Sequence, residues 1–395
     1  MRAGGLPDLA LYIHFPWCVQ KCPYCDFNSH QLRGALPERQ YIDALAADLR
    51  CQAPRVADRE IVSIFMGGGT PSLFPPAALA GLLAAVRQHL RVAPDAEITM
   101  EANPATVERG RFGEYHAAGI NRVSLGAQSF NSDTLKALGR IHQPADVLRA
   151  ADELHACGLT NFNLDLMYAL PNQALAGAVA DVTSALQLQP AHLSHYQLTM
   201  EPGTVFAAQP PPLPDDDVAW TMQAECQALL AAHGFAQYEV SAYARPGRQC
   251  IHNLNYWNNG DYLGVGAGSH GKVTLAAEAG TGLRIQRSTH MREPRRYLAS
   301  AAQGPQWRDV PCEDLPFEFM MNALRLNEGF ALDDFTRLTG LASAAVLPAL
   351  EQLAAEGLME AGSGRWRASE RGRTFLNEVI QRFLPAPNSQ AGAGS

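Results

Sequence analysis

Between residues 11 and 198 the chain repeats one pattern, a short β-rich run followed by a stretch of helical apolar periodicity. The runs fall at residues 11–15, 61–66, 97–101, 122–125, 163–167 and 193–198. Helices are expected over 38–51, 77–90, 145–157 and 177–186; in the first, Tyr41, Ile42, Leu45 and Leu49 share one face. Six β–α units in series demand parallel strands with right-handed crossovers. Either a partial TIM-type barrel or a doubly wound sheet satisfies that demand. Functional side chains then belong at the C-terminal ends of the strands. The chemistry-bearing residues fall there: a cysteine-rich loop follows the first run, Gly67-Gly68-Gly69-Thr70 the second, and Glu101, Gln128 and Asp165 lie at or just past later ones.

Beyond this region the pattern changes. Residues 209–217 (QPPPLPDDD) form a rigid polar break, followed by an expected helix over 218–233. Residues 238–308 are rich in glycine and polar residues and show few clear periods. Helical periodicity returns at 315–326, 332–338 and 343–356, then a hairpin at 358–369 and a last helix over 370–383. Three helices and a hairpin describe a winged helix. The expected division is therefore a core barrel with its cysteine loop (1–215), a barrel extension (216–309), a winged-helix-like domain (310–384) and a disordered tail (385–395).

Charge narrows the function. With 31 Lys+Arg against 39 Asp+Glu, the net charge is −8, and a phosphate-backbone partner would call for a basic surplus. The helix at 343–356, which would enter a DNA groove, carries Glu351 and Glu356 and no Lys or Arg. No nucleic-acid partner is expected. The longest strongly apolar run, 76–86, is too short to span a bilayer, and the N-terminal residues show no export or transit pattern. A cytoplasmic location is the expectation.

Of eight cysteines, Cys51, Cys157, Cys226, Cys250 and Cys312 are scattered and read as small core residues, whereas Cys18, Cys22 and Cys25 crowd into eight positions. A C-x-x-x-C-x-x-C loop can aim three thiolates at three irons of a [4Fe–4S] cube and leave the fourth iron open. Tetrahedral zinc is the competing reading. It needs a fourth ligand, which His14 or His30 could supply, and usually a second paired knuckle, which the sequence lacks.

The segment YIHFPWCVQKCPYCDFNSH (12–30), with Tyr24 at the aromatic position of C-x-x-x-C-x-aromatic-C, resembles the radical S-adenosylmethionine (SAM) superfamily. Together with GGGTPS (67–72), EANP (101–104), GAQSF (126–130) and LGRIH (138–142), it resembles the branch containing oxygen-independent coproporphyrinogen III dehydrogenase and the HemW proteins. The resemblance implies a partial (β/α)6 radical SAM barrel with a C-terminal helical, winged-helix-like domain. It implies that Cys18, Cys22 and Cys25 bind the cluster, and that SAM chelates the open iron and is held by Tyr12, Tyr24, Gly68, Gly69, Thr70, Glu101, Gln128, Arg140 and Asp165. Each of these residues, taken singly, is also readable as a salt-bridge or capping residue.

Two departures separate the chain from the dehydrogenase. Phe27 stands where that enzyme carries a further cysteine, and only seventeen residues precede Cys18 where the enzyme has a longer arm. In addition, His252-Asn253-Leu254-Asn255-Tyr256-Trp257 matches the H-N-x-x-Y-W motif typical of HemW heme chaperones. An imidazole can ligate heme iron, and Tyr256 and Trp257 can pack on a porphyrin face. The same residues also read as a fold-supporting His–Asn turn with two core aromatics. The resemblance thus implies a heme chaperone with no assigned catalytic residue, whose cofactors and cargo are a [4Fe–4S] cluster, SAM and heme. Its implied partners are acceptor hemoproteins of the respiratory chain and an electron donor for the cluster, with peripheral contact at the cytoplasmic membrane face.

Overall fold

The structure, a computed structural model, describes residues 5–106, 110–276 and 282–385. All six expected strands form: β1 (Leu9–Phe15), β2 (Glu60–Gly68), β3 (Arg91–Ala102), β4 (Arg122–Gln128), β5 (Phe162–Tyr168) and β6 (His192–Gln197). They lie side by side in chain order and all parallel. A doubly wound sheet would reverse its strand order partway, so sequential order decides for the barrel type. Further strands extend the sheet: β7 (Ala236–Glu239) and β8 (Ala242–Ala244) beyond β6, and β9 (Asp261–Val265), β10 (His270–Ala276), β11 (Leu283–Thr289) and β12 (Gln306–Asp309) beyond β1. Only β9 among these runs parallel to its neighbour in the core array. The two outer edges are β7 and β12, so the twelve-stranded barrel stays open.

Strand alternation sorts the two faces. On β1, Leu9, Leu11, Ile13 and Phe15 are buried with Tyr41, Leu45 and Leu49 of helix Glu38–Gln52 in the main core. Tyr12 and His14 point the other way, into the lumen. On β10 and β11 both faces carry polar yet buried residues, Lys272 and Thr274 toward the lumen and Gln286 and Ser288 away from it. That polarity removes the apolar alternation by which a strand is read. Helices Arg111–Ala117 and Ser132–Ala137 were likewise unexpected, being two turns or fewer.

The C-terminal helices Leu315–Ala323, Leu332–Thr339 and Leu347–Ala355, with the hairpin Met359–Gly362/Arg365–Ala368, build a second core around Phe319, Phe335, Leu350 and Leu353. The helix expected from 343 begins at Leu347, because Pro348 is tolerated only in a first turn. The helix expected over 370–383 breaks at Phe375 into Glu370–Thr374 and Leu376–Gln381. The tail expected to be disordered lies, from residue 386, outside the described residues. Among the described residues no helix is long and apolar enough to cross a membrane.

Asp261, fully buried at the start of β9, fastens the extension to the core. It accepts from Arg59 Nη1 (2.6 Å) and from both the backbone N–H and the hydroxyl of Thr274 (2.8 and 2.9 Å), with Lys272 Nζ 3.5 Å away. Removing its charge strands two cations in the interior. Asp261→Ala is expected to cost about 3–5 kcal/mol in urea unfolding; a loss below about 1 kcal/mol, the range of a surface ion pair, would contradict this role.

Candidate functional site

The chain leaves β1 at Phe15 and enters the cysteine loop, whose neck is closed where Trp17–Cys18 pairs in parallel with His30–Gln31. Asn28 pins the loop to the extension, its side-chain amide donating to the carbonyls of Ala267 (2.8 Å) and Arg292 (2.9 Å). The Asn28 carbonyl accepts from His14 Nε2 (2.9 Å), which makes His14 Nδ1 the acceptor for the Tyr12 hydroxyl (2.8 Å). Burial lowers the His14 pKa to about 4, so the ring is neutral at pH 7. Cys18, Cys22 and Cys25 are free and partly exposed. Burial raises the Cys18 thiol pKa, partly offset by a hydrogen bond with Thr70. Arg140 Nη1 lies 3.6 Å from the Cys22 sulfur.

The glycines after β2 meet this loop backbone to backbone. Gly69 N–H donates to the Phe15 carbonyl (2.6 Å) and Thr70 N–H to that of Trp17 (2.8 Å). A Cβ on Gly69 would stand 2.6 Å from both the Phe15 and Trp17 carbonyl oxygens, and one on Gly68, whose φ is +107°, would stand 2.3 Å from the His14 ring. Gly68 N–H donates to Glu101 Oε2 (3.0 Å).

Around this cradle the later strand ends supply a polar floor. Asp165 accepts from Ser124 Oγ (3.0 Å) and Asn163 Nδ2 (2.8 Å). Gln128, held at a φ of +65°, accepts from the Tyr196 hydroxyl (3.0 Å). Arg140 donates to the Gly126 carbonyl (3.0 Å), and its buried Nε has no partner among the described residues. Burial, reinforced by the Asp165 charge, raises the Glu101 pKa to about 8. Burial likewise raises the Tyr24 phenol, against the pull of Arg140. The residues expected at the SAM and cluster sites lie about the C-terminal side of the strands, with Tyr12 and Asp165 deeper, at the middle of β1 and β5. Three free thiols, a cradle with no room for a side chain and an orphaned guanidinium nitrogen fit a cluster and a charged small ligand.

A cavity of about 620 Å³ opens from Tyr12, Gly68 and Glu101 and is walled by Phe65, Tyr256, Trp257 and Tyr262. Two of the three motif residues expected to meet heme, Tyr256 and Trp257, thus reach it. His252 does not. It is 6% exposed, stacks on the far side of Phe65 (ring centroids 4.1 Å apart), and its ring nitrogens lie against the Cys250 sulfur (3.0 and 3.4 Å) and Glu97 Oε1 (3.4 Å). Glu97 also accepts from the Ile251 N–H (2.9 Å), and Arg122 reaches its other oxygen at 3.3 Å. Cys250 is buried in this knot, where burial raises its thiol pKa. Glu97 and Arg122 escaped sequence reading because their partners lie 153 and 25 positions away, beyond any local pattern.

A three-thiol loop, a glycine-lined strand end and a polar floor on an open parallel barrel define a radical SAM protein. The family model of the radical SAM superfamily matches residues 12–178, and that of the HemN C-terminal domain matches residues 310–375. The fold superposes on the radical SAM enzyme coproporphyrinogen III oxidase (HemN) from Escherichia coli with a TM-score of 0.80, at 23% identity, over 96% of this chain and 91% of that one. The sequence is 50% identical to the heme chaperone HemW of Escherichia coli (strain K12), covering 96% of this chain and 99% of the relative. It is 46% identical to that of Haemophilus influenzae (96% and 98%) and 36% identical to that of Mycobacterium tuberculosis (95% and 94%). The chain belongs to the HemW family. Its membership of the radical SAM superfamily implies a [4Fe–4S] cluster and SAM.

The raised Glu101 pKa has a sign that can be measured. Between the unfolded value near 4.5 and the folded value of about 8, the native apoprotein holds a proton that the unfolded chain has lost, so stability falls as pH rises through that window. Urea unfolding from pH 5 to 8 should show this decline, and Glu101→Gln should flatten it; equal slopes in the two proteins would contradict the burial.

Proposed function

We propose that the protein is a heme chaperone that carries heme in the aromatic-walled cavity beside its cluster and SAM sites and delivers it to hemoproteins of the respiratory chain. The observation that carries this reading is the cavity itself. At about 620 Å³ it has the size of a site for a ligand with a large flat apolar face, and the motif aromatics Tyr256 and Trp257 form its wall. The relatives' role as heme chaperones supports the same assignment.

In this reading Cys18, Cys22 and Cys25 hold three irons, and SAM occupies the cradle of Gly68, Gly69 and Thr70 with Tyr12, Tyr24, Glu101, Gln128, Arg140 and Asp165. When bound, the cluster and SAM supply one-electron chemistry. The protein's own residues organise the site. Thr70 hydrogen-bonds the Cys18 sulfur, Arg140 sets a positive charge beside Cys22, and Ser124 and Asn163 hold the Asp165 carboxyl in one orientation. Glu101 sits at the cavity boundary, where a nearby ammonium group would draw off its proton. His252 acts through Phe65, holding that wall in place from behind. Residues 1–215 form the radical SAM core, 216–309 the wall and rim of the cavity, and 310–384 the module facing partners, which include an electron donor for the cluster. The setting is cytoplasmic, with peripheral membrane contact at the acceptor.

The rival activity is that of coproporphyrinogen III dehydrogenase, and Phe27 stands against it. It occupies the position of that enzyme's further cysteine and points 58% exposed toward the cavity mouth. An anaerobic titration of cluster-reconstituted protein with heme should give saturable binding, and incubation with coproporphyrinogen, SAM and reductant should give no vinyl product. The opposite pair of results would overturn the chaperone reading. Cys22→Ala should lose the cluster's iron, sulfide and brown colour while Cys51→Ala keeps all three; a Cys22→Ala protein with wild-type iron content would refute the ligand assignment.

A further inference from the structure

The H-N-x-x-Y-W histidine is shut away behind Phe65, which leaves open which group could meet the iron of a bound heme. Two histidines line the cavity, His14 and His270. Both ring nitrogens of His14 are engaged, one by Tyr12 and the other by Asn28. His270, at the start of β10, is exposed and lines the cavity, and among the described residues its ring makes one hydrogen-bond contact, Nδ1 to the Thr289 hydroxyl at 3.4 Å. When Nδ1 carries the proton and donates to that hydroxyl, Nε2 presents a free lone pair to the cavity.

The surroundings of His270 suit an anionic, flat ligand. Lys272, Arg287 and Arg292 line the same rim. Lys272 is committed to the Asn259 carbonyl and Asp261, and Arg287 is clamped by Glu318 (2.7 Å) and the Tyr262 hydroxyl (2.8 Å). Arg292 is exposed at the mouth, and its guanidinium has no partner among the described residues. Burial and the charges of Arg287, Arg292 and Arg308 lower the His270 pKa, which keeps the imidazole neutral and able to donate to a metal. The aromatic side chains of Tyr256, Trp257 and Tyr262 line the same cavity.

The geometry points to His270, rather than His252, as the imidazole that ligates heme iron in this cavity, with Arg292 receiving a propionate. The inference rests on the heme-carrier reading and deepens it. The aromatic wall takes the macrocycle face, Arg292 forms a charge-assisted bond to the carboxylate edge, and Arg287 adds positive field without leaving Glu318.

The test is a heme titration of the cluster-reconstituted full chain, read by the position of the Soret band and by affinity. His270→Ala, at an exposed position, should shift the band and weaken binding about tenfold or more, and added imidazole should restore the band position. His252→Ala should leave the band where the wild type has it, even where its stability falls. Arg292→Glu should weaken binding of heme about tenfold but not that of heme dimethyl ester, which lacks the carboxylates. A wild-type band and affinity in His270→Ala, or a band shift in His252→Ala alone, would overturn the inference while leaving the chaperone reading intact. Absence of saturable heme binding by the wild-type protein would overturn both.

Discussion

The site depends on the close approach of two backbones, the cysteine loop leaving β1 and the glycine run leaving β2. Their contact is made by main-chain hydrogen bonds of 2.6 and 2.8 Å from Gly69 and Thr70, with no room between them for a Cβ. Adjacent parallel strands end on the same side of a sheet, so pairing β1 with β2 brings motifs some fifty residues apart into one unit. The next strand then delivers Glu101 to the Gly68 amide, and later strands deliver Gln128 and Asp165. Strand order sets the geometry, and the glycines make it attainable.

The same sheet separates two environments. Outward residues of β1 to β6 pack beneath the helices, while inward residues remain polar and line a lumen. The C-terminal module closes one side of that lumen. Met321 and Asn322 line the cavity, Glu318 clamps Arg287, and the Arg325 guanidinium lies 4.3 Å over the Trp257 ring. A partner that displaced this module would disturb Trp257 and Arg287 together.

Much of this was legible in the sequence, for identifiable reasons. Period-two and period-3.6 patterning located all six core strands, because their outer faces are apolar, and local spacing identified the thiol loop and the glycine cradle. The strands of the extension escaped because polar residues are buried on both of their faces, Lys272 and Thr274 on one and Gln286 and Ser288 on the other, which breaks the apolar alternation. The role of the H-N-x-x-Y-W segment divided in the same way. Its aromatic residues reach the cavity, but the partners that bury His252, Glu97 and Cys250, are fixed by tertiary folding. A motif names its residues without saying which way each side chain faces.

In the proposed function the cavity holds heme as cargo to be passed on. The direct measurement is anaerobic mixing of the heme-loaded, cluster-reconstituted protein with an apo-form of a respiratory hemoprotein, followed by separation of the two and absorbance spectra of each. Delivery predicts that the acceptor gains its holo spectrum and activity as the donor loses its Soret band, faster than with free heme at the equilibrium free concentration. Heme that stays on the donor, or that reaches the acceptor only at the rate of free heme, would contradict the account.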